Sequence, residues 1–461
     1  MFKIITNLDL ENAKKSLETL GDFLISAITQ YKGTELYRNT LKAKAYFNGE
    51  TDIQFRKKEY INENGVKVVD IYKANNTIST DIFKKIILQE SSTLFAKGVN
   101  INPEIKDNFS KMFDIKLQRL GIESSLGGTA YGYVTPTKNG LTLEYFSADE
   151  FVPIVDVFTG DLVAGIRFIQ LDSNLPMKIE LYEIDGLTTF VTDGSQNIKI
   201  LDEKRNYYTI TESDALSKTV YERNYSILPV IPLYNGLSKK SRLNRALKTK
   251  IDLLEIILSD FGNNLEDMQD VYWTIKNYDG QGLSEFIREM KQHKAIKVGD
   301  DGDVKSHTTD VPYQAREAAI KILKKQIFSD SMALDTEDMS GTLTTVEINA
   351  RRENLNLKID DFENEAHNFM NSVMQIYQEI YGEVEKYNLT FIRSGLINET
   401  EIIDNIIKIR SDIDHRTALE LNPMIDNDNI DVILERMKEE DMIVLGGEHG
   451  QSTQTNGQNI E

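Results

Sequence analysis

The longest uninterrupted helical pattern in the chain is residues 344–381, TTVEINARRENLNLKIDDFENEAHNFMNSVMQIYQEIY. The stretch contains neither Pro nor Gly, and apolar side chains alternate at every fourth and third position: Leu355, Ile359, Phe362, Ala366, Phe369, Val373, Ile376 and Ile380. This spacing lines one face of a helix that would span roughly 57 Å. Because a lone globular domain rarely contains so long a helix, we expect an assembly in which neighbouring copies share its packing.

The segment before this helix predicts two more helices separated by a compact insert. Residues 238–268 carry apolar positions at helical spacing over roughly 45 Å. The insert, 269–312, predicts a strand at 271–277, a helix at 282–293 and strands at 295–298 and 304–309. A helix at 313–333 follows. Residues 334–345 then predict an exposed loop that contains Asp335, Glu337 and Asp338.

The first half of the chain divides into helices and then strands. Helical spacing covers 9–30, 80–96 and 104–126, and residues 131–234 form short runs rich in β-branched and aromatic residues. Lys138-Asn139-Gly140 predicts a hairpin turn within that strand block. Two or three short helices are expected in 388–445, and the polar stretch from Gly446 onward is expected to be disordered. The fold class is therefore α+β.

Composition excludes several classes of protein. Hydrophobic residues make up 40% of the 461 positions, which is enough for sizeable cores, and no run of 18 apolar residues predicts a membrane span. The chain has no Cys, which excludes disulfides, thiolate nucleophiles and Cys-ligated zinc. A formal net charge of −20 also excludes a general binder of nucleic-acid phosphates.

Motifs for catalysis are missing from the sequence. It contains no GxxxxGK[ST], GxSxG or HExxH pattern, and no two of its five His are four residues apart. Asp149, Glu150 and Asp156 lie near strand ends, where solvated turns are the ordinary interpretation. The turn Asp300-Asp301-Gly302-Asp303 lacks the bidentate Glu of a calcium loop. We therefore expect no catalytic residue, no metal and no cofactor.

One basic stretch stands out in this acidic chain. Six cations fall within twelve residues, with no acid before Asp252: Lys239, Lys240, Arg242, Arg245, Lys248 and Lys250. Cations at a helix N-terminus oppose the helix dipole. The stretch is therefore either a solvated helix start or a surface that faces phosphates or an acidic neighbour.

Four segments, in this order, resemble the portal proteins of tailed bacteriophages, of the siphophage, SPP1-like type. Residues 45–53, AYFNGETDI, resemble the early Y-Y-x-G-x-x-x-I element, and residues 75–99 resemble the N-R-I…Y-L-F-G-K-P-V helix. Residues 231–236, IPLYNG, are similar to the I-P-x-x-x-x-N entry to the first stem helix. Tyr278-Asp279-Gly280, followed by residues 283–291 and 294–298, resembles the clip segment.

The resemblance implies a portal fold with named parts. The wing would comprise residues 1–237 and the long helix at 346–385. The stem would comprise helices at 238–268 and 313–333, separated by the clip at 269–312. The loop at 334–345 would line a tunnel, and residues 386–461 would form a helical crown with a disordered tail.

The resemblance also implies a function and partners. About twelve copies would form a ring at one capsid vertex of the virion, assembled in the host cytoplasm, through which double-stranded DNA passes. The terminase large subunit, the major capsid and scaffolding proteins, and head-completion or adaptor proteins would bind it, and no membrane would be involved. The ring itself would not be an enzyme, since the terminase motor supplies ATP hydrolysis.

Three groups of residues follow as site predictions. Asp335, Glu337, Asp338 and Met339 would face DNA in the tunnel, where acids repel the phosphates. The six basic residues at 239–250 would form a belt in the stem. The clip would bind its partners through Tyr278, Phe286, Arg288, Lys291 and Lys297.

Two other interpretations remain open from the sequence. A different virion component, such as a scaffold or neck adaptor, would be more helical or much shorter. A carboxylate-based enzyme that acts on nucleic acid would use acids of the strand block, such as Asp149 or Asp156, and would show a metal-dependent nuclease activity. Its activity would disappear when those residues are replaced.

Overall fold

The computed structural model describes residues 4–62, 64–70, 73–170, 172, 175–192, 198–214, 217–267, 272–276, 303–307, 313–335, 345–394, 406–410, 413–420, 422, 425, 430 and 432–438. The chain divides into two compact units, Met1–Ser394 and Gly395–Glu461. The first mixes helices and strands, as the sequence predicts. Over the described ranges, no helix has the length and apolar character needed to span a bilayer.

Within the described residues, six α-helices precede the strand block: α1 Asn7–Ala13, α2 Leu17–Lys32, α3 Glu35–Phe47, α4 Ile82–Phe95, α5 Pro103–Lys106 and α6 Phe113–Gly127. The single helices predicted over 9–30 and 104–126 are therefore wrong, because the chain breaks between α1 and α2 and again between α5 and α6. Ser16 explains the first break: its backbone is extended, and its hydroxyl accepts a hydrogen bond from the Thr19 amide. Such capping begins a new helix at that residue.

Between α3 and α4 lies a small antiparallel hairpin, β1 Glu59–Ile61 with β2 Lys67–Val69. A second short pair joins distant parts of the same unit, since β3 Val99–Asn100 pairs with the late strand Thr390–Phe391.

The predicted strand block is confirmed as antiparallel sheets. Its strands are β4 Thr129–Thr137, β5 Gly140–Ser147, β6 Phe151–Val155, β7 Leu162–Ile169, β8 Met177–Glu183, β9 Gly186–Thr192, β10 Ile198–Arg205, β11 Tyr208–Asp214, β12 Ser217–Arg223 and β13 Val230–Tyr234. One sheet has the order β13-β4-β5, another β10-β9-β8-β7-β6, and β11 pairs with β12. The hairpin predicted at Lys138-Asn139-Gly140 joins β4 to β5, and Gly140 supplies its positive φ of 98°.

Two helices form an antiparallel pair after the strand block: α7 Arg245–Asp267 and α8 Tyr313–Asp330. Lys250 near the start of α7 pairs with Asp330 at the end of α8. At the opposite end, the rings of Phe261 and Tyr313 lie 6.0 Å apart. Beyond that end, β14 Tyr272–Lys276 pairs with β15 Asp303–His307, while the predicted helix 282–293 and strand 295–298 lie outside the described residues.

The helix α7 begins at Arg245, seven residues later than predicted. Lys239 has a left-handed backbone with φ 49°, which a continuous α-helix cannot include. The Arg242 amide instead donates to the carbonyl of Ser125 on α6. The segment before α7 is therefore an ordered connection, held against the helices that precede the sheets.

The long helix is confirmed as α9 Thr345–Tyr381. The apolar face of this helix is covered within the chain itself, because Ile359, Phe362 and Phe369 are at most 1% exposed. That neighbouring copies also pack against the helix stays a prediction. They belong to one core with the sheet β13-β4-β5. The ring of Phe369 packs so closely on Gly132 that a Cβ there would lie 2.7 Å from the ring.

The second unit, Gly395–Glu461, is described only in part. It contains the helix α10 His415–Glu420 and further helical residues at 432–438. Short helices were predicted in this region. The predicted disordered tail from Gly446 lies outside the described residues.

Candidate functional site

A buried carboxylate joins three separate elements of the first unit. Glu90 of α4 is fully buried, and its Oε1 lies 3.0 Å from Nε of Arg242, in the connection before α7. Its Oε2 lies 2.9 Å from Nζ of Lys358 on α9. Burial lowers the pKa of Lys358 and Arg242 adds to that effect, while Glu90 opposes it. Because an unpaired charge is costly out of water, the buried Glu90 carboxylate and its two cations depend on one another, and we call these three side chains the Glu90 junction.

The two cations of the Glu90 junction also bind main-chain carbonyls. Nη2 of Arg242 donates to the Asn235 carbonyl at 2.6 Å, and Nζ of Lys358 donates to the Ser331 carbonyl at 3.1 Å. Asn235 in turn donates from Nδ2 to the carbonyl of Lys240 at 2.6 Å. The junction therefore fixes both the entry to α7 and the exit from α8.

The start of the predicted tunnel loop is held by the residue next to Glu90. The Gln89 side chain accepts a hydrogen bond from the Leu334 amide at 2.8 Å and donates one to the Leu334 carbonyl at 3.2 Å. Met332 turns the chain there with φ 53°. Asp335 is described just after this point, whereas Glu337, Asp338 and Met339 lie outside the described residues. The tunnel loop therefore begins at a backbone segment that hydrogen bonds hold in place.

Most of the six basic residues have internal contacts. Besides Arg242, Lys248 lies 2.7 Å from both Asp52 and Asp252, and Lys250 pairs with Asp330. These carboxylates raise the pKa of Lys248 despite its partial burial. Nζ of Lys239 lies 3.7 Å from the centre of the Tyr234 ring, a cation–π contact. The predicted belt is therefore partly a set of structural ion pairs.

The remaining two basic residues, Lys240 and Arg245, are exposed and have no carboxylate partner among the residues that the structure describes. They line a groove of about 510 Å³ between α3 and the connection before α7. Its charged lining residues are Lys42, Lys239, Lys240, Arg245, Lys248 and a single acid, Glu35. The groove is cationic in an otherwise acidic chain, so it suits an anionic group.

An extended segment, residues 73–80, runs along α7 and is bound by buried polar side chains. Oδ1 of Asn263 accepts the Asn76 amide at 2.7 Å, and its Nδ2 donates to the Asn76 carbonyl at 2.9 Å. One and two turns earlier, Ser259 accepts the Ile78 amide and Glu255 accepts the Thr80 amide. The spacing of four residues aligns the three side chains on one face of α7.

We expect Asn263→Ala to lower the free energy of unfolding by about 2 kcal/mol, since the buried Asn263 side chain makes two hydrogen bonds with the Asn76 backbone, each worth about 1 kcal/mol. Asn264→Ala is the matched control, because this neighbour is half-exposed and has no hydrogen bond in the described structure; its change should stay within about 0.5 kcal/mol. Urea unfolding measures both values, and hydrogen exchange reports whether the Asn76 amide loses protection. Equal effects of the two substitutions would contradict this role for Asn263.

The roles of Glu90 and Lys358 in the Glu90 junction were not identified from the sequence. Glu90 lies among Ile86, Ile87 and Leu94 on the apolar side of its helix, and Lys358 directly precedes Ile359. Charged residues at core positions are the signal that could have revealed them, since such residues are rarely buried without a partner. Their partners lie more than 100 residues away in sequence and could not be assigned.

The acids of the strand block have structural roles. Asp149 pairs with Lys44 at 2.7 Å, and Asp156 accepts the amides of Phe158 and Thr159 in its turn. Those bonds lower the pKa of Asp156. Within the described ranges, no group of three His, Asp or Glu could hold a metal ion. The five predicted clip residues, Tyr278, Phe286, Arg288, Lys291 and Lys297, lie outside the described residues.

Comparison with known proteins points to one family. The sequence model described as "Phage portal protein, SPP1 Gp6-like" matches residues 27–442. A portal protein of Clostridium phage phiCD119 is 26% identical over 416 residues, covering 84% of this chain and 89% of the relative. The portal protein of Bacillus phage SPP1 is 22% identical over 445 residues, covering 90% and 86%.

Solved structures with partial similarity come from gene transfer agent particles. A chain from the virion of the native particle has a TM-score of 0.41 at 11% identity, covering 77% of this chain and 89% of the other. A chain from the neck of the empty particle has a TM-score of 0.43 at 10% identity, covering 86% and 93%.

Proposed function

Since this chain belongs to the SPP1 Gp6-like family of phage portal proteins, we propose that it forms a ring of about twelve copies at one capsid vertex. The ring is the conduit for double-stranded DNA during packaging and ejection. The observation that carries this function is the family match over residues 27–442. The protein is accordingly a component of the virion, assembled in the host cytoplasm.

We assign the portal subdivisions to the observed elements. The antiparallel pair α7 and α8 is the stem, and the hairpin β14–β15 beyond its far end belongs to the clip. The earlier helices, the strand block and α9 form the wing, and the second unit forms the crown. The order of these elements along the chain supports the assignment.

The ring is a docking platform and has no catalytic function of its own. In this proposal the terminase large subunit binds it during packaging and supplies ATP hydrolysis. Head-completion or adaptor proteins bind the clip afterwards, and the major capsid and scaffolding proteins surround the wing. The ion pair of Asp149 with Lys44 and the turn hydrogen bonds of Asp156 support a non-catalytic role for the strand block.

The Glu90 junction positions the tunnel loop in this arrangement. Gln89 and Lys358 hold residues 331–334, so each copy would present its acidic loop from an equivalent base. Asp335, Glu337 and Asp338 would then repel DNA phosphates around the channel. A repulsive lining suits a conduit, because each fixed phosphate contact would have to break as the DNA advances.

The experiment that tests the proposed function is a mass measurement of the purified chain, with negative-stain imaging. Twelve copies of 52.6 kDa amount to about 630 kDa. We expect a species near this mass with a central hole, formed alone or with the scaffolding and capsid proteins. A chain that stays monomeric with those proteins present would contradict the proposal.

A further inference from the structure

The chain between Ile53 and Ile82 crosses the surface of the first unit without entering its core. Ile53 and Ile82 are themselves buried, whereas none of the described residues from Gln54 to Asp81 is buried. Segments that bury few apolar side chains open at a lower free energy than the core does. The position of this segment therefore depends on its polar contacts with neighbouring elements. We call residues 73–80, which lie along α7, the strap.

A row of buried polar side chains on α7 lies beneath the strap. Asn263, Ser259 and Glu255 bind the strap backbone and are each at most 2% exposed. Among the residues that the structure describes between Glu255 and Glu266, these three are the only buried ones. When the strap lifts, both its backbone and this row can bind water in place of each other. Exposure of a polar row carries no hydrophobic penalty, so this face of α7 suits a reversible contact.

Two further contacts attach the same segment to α7. Arg56 forms two hydrogen bonds with the Asp260 carboxylate, at 2.9 and 3.0 Å, but both side chains are partly exposed. Ion pairs in contact with water contribute little to stability. Ile78 lies over Gly262, where a Cβ would be 3.6 Å from Cδ1 of Ile78, yet this side chain remains exposed. Neither contact ties the segment to the core.

The N-terminal half of α7 is attached in a different way. Leu247, Ile251 and Leu254 are at most 2% exposed and belong to one core with side chains of α3 and α4. After Leu254, no described residue of α7 is both apolar and buried. The C-terminal half packs on α8, where the rings of Phe261 and Tyr313 meet, and is bound to the strap. The hydrophobic effect thus fixes the first half, and hydrogen bonds hold the second.

We propose that the strap is a detachable clamp, which opens as one unit while the core stays folded and thereby frees the C-terminal half of α7 to move with α8. Alternate strap residues, Asn76, Ile78 and Thr80, bind successive turns of one helix. The middle contact therefore cannot open without displacing its neighbours. That α7 belongs to a portal stem rests on the proposed function, whereas the opening of the strap does not.

Native-state hydrogen exchange of the full chain tests the opening. The amides of Asn76, Ile78 and Thr80 should share one protection factor, at least 100-fold lower than that of the slowest amides in β4. Leu143→Ala removes a buried side chain beside β4 and should lower the protection of β4 at least 30-fold. Protection of the strap should change less than twofold, because the open state keeps the core folded. If that variant does not fold, Ile154→Val should lower core protection about fivefold with the same result for the strap.

Two results of this experiment would overturn the proposal. If the core substitution lowers the protection of the strap and of β4 by the same factor, the strap opens only when the whole chain unfolds. If the three strap amides have different protection factors, they open separately and do not form one unit.

Distances between spin labels test the release of α7. Because the sequence contains no Cys, Phe158→Cys can be paired with Leu265→Cys in the second half of α7 or with Leu253→Cys in the first. All three native side chains are exposed. Ser259→Ala with Asn263→Ala weakens the strap and should broaden the distances to residue 265, while those to residue 253 stay unchanged.

Equal behaviour of the two labels, changed or unchanged, would overturn the clamp. Both experiments are made on the single chain and need no ring. Failure of the unaltered chain to form a ring would therefore contradict the proposed function, while exchange and distances still decide whether the strap detaches.

Discussion

Replacing Glu90 by Ala is expected to lower the free energy of unfolding by about 3–5 kcal/mol, the range observed when one partner of a buried ion pair is removed. Arg242 and Lys358 would then face each other without the carboxylate that binds both. Lys358 is only 8% exposed, so its charge would be left largely out of water without a counterion. Urea unfolding followed by circular dichroism, on the monomeric chain, measures the change.

Two controls separate charge from packing in that experiment. Glu11→Ala removes an exposed acid that pairs with Lys14, and the expected change is at most about 0.5 kcal/mol. Glu90→Gln keeps the shape of the side chain and one acceptor oxygen. Its decrease in the free energy of unfolding should therefore lie between those of Glu11→Ala and Glu90→Ala. If Glu90→Ala destabilises no more than Glu11→Ala, the two cations have found other partners and the junction does not fix the loop.

The sequence predicted the helices with strong apolar periodicity and the position of the strand block. The spacing in 344–381 located α9 within a few residues, and the Gly140 turn was correctly placed. Both are local properties, set by the chain's own spacing and by the need for a positive φ. Periodicity does not show what covers an apolar face, and only the structure shows that the face containing Phe369 packs on the sheet β13-β4-β5.

Capping and long-range contacts account for two of the boundaries that were wrong. The break before α2 depends on the reciprocal hydrogen bonds between Ser16 and Thr19 that cap the helix. The late start of α7 depends on the contact of Arg242 with Ser125 and Glu90, which are distant in sequence. The apolar spacing alone predicted a continuous helix across both of these breaks, because the apolar residues on either side keep the helical period.

The six basic residues illustrate the same limit at the candidate site. The charge count left open a solvated helix start or a surface that faces phosphates or an acidic neighbour, but Lys248 and Lys250 have carboxylates at close range on neighbouring elements. Only tertiary structure distinguishes these from Lys240 and Arg245, which line the groove. The exposed pair is therefore the part of the stretch that is open to an anionic group.

Conversion of Asp335, Glu337 and Asp338 to Lys is expected to slow or stall DNA packaging while the ring still assembles. The net charge of each copy rises by six, from three negative to three positive side chains in the loop. In a ring of about twelve copies, a lining that repels phosphates becomes one that binds them. Such contacts are screened over about 8 Å at physiological salt, so added salt should partly restore the rate. A reconstituted packaging reaction with the terminase motor measures it.

A matched control carries the same change in charge elsewhere. Asp202, Glu203 and Glu222 are exposed in the strand block, and their conversion to Lys adds the same six charges without altering the loop. That variant should package DNA at the rate of the unaltered ring, because its new charges lie outside the proposed channel. If both variants slow packaging equally, net charge is the cause. If the loop variant packages normally in intact rings, residues 335–338 do not face the DNA.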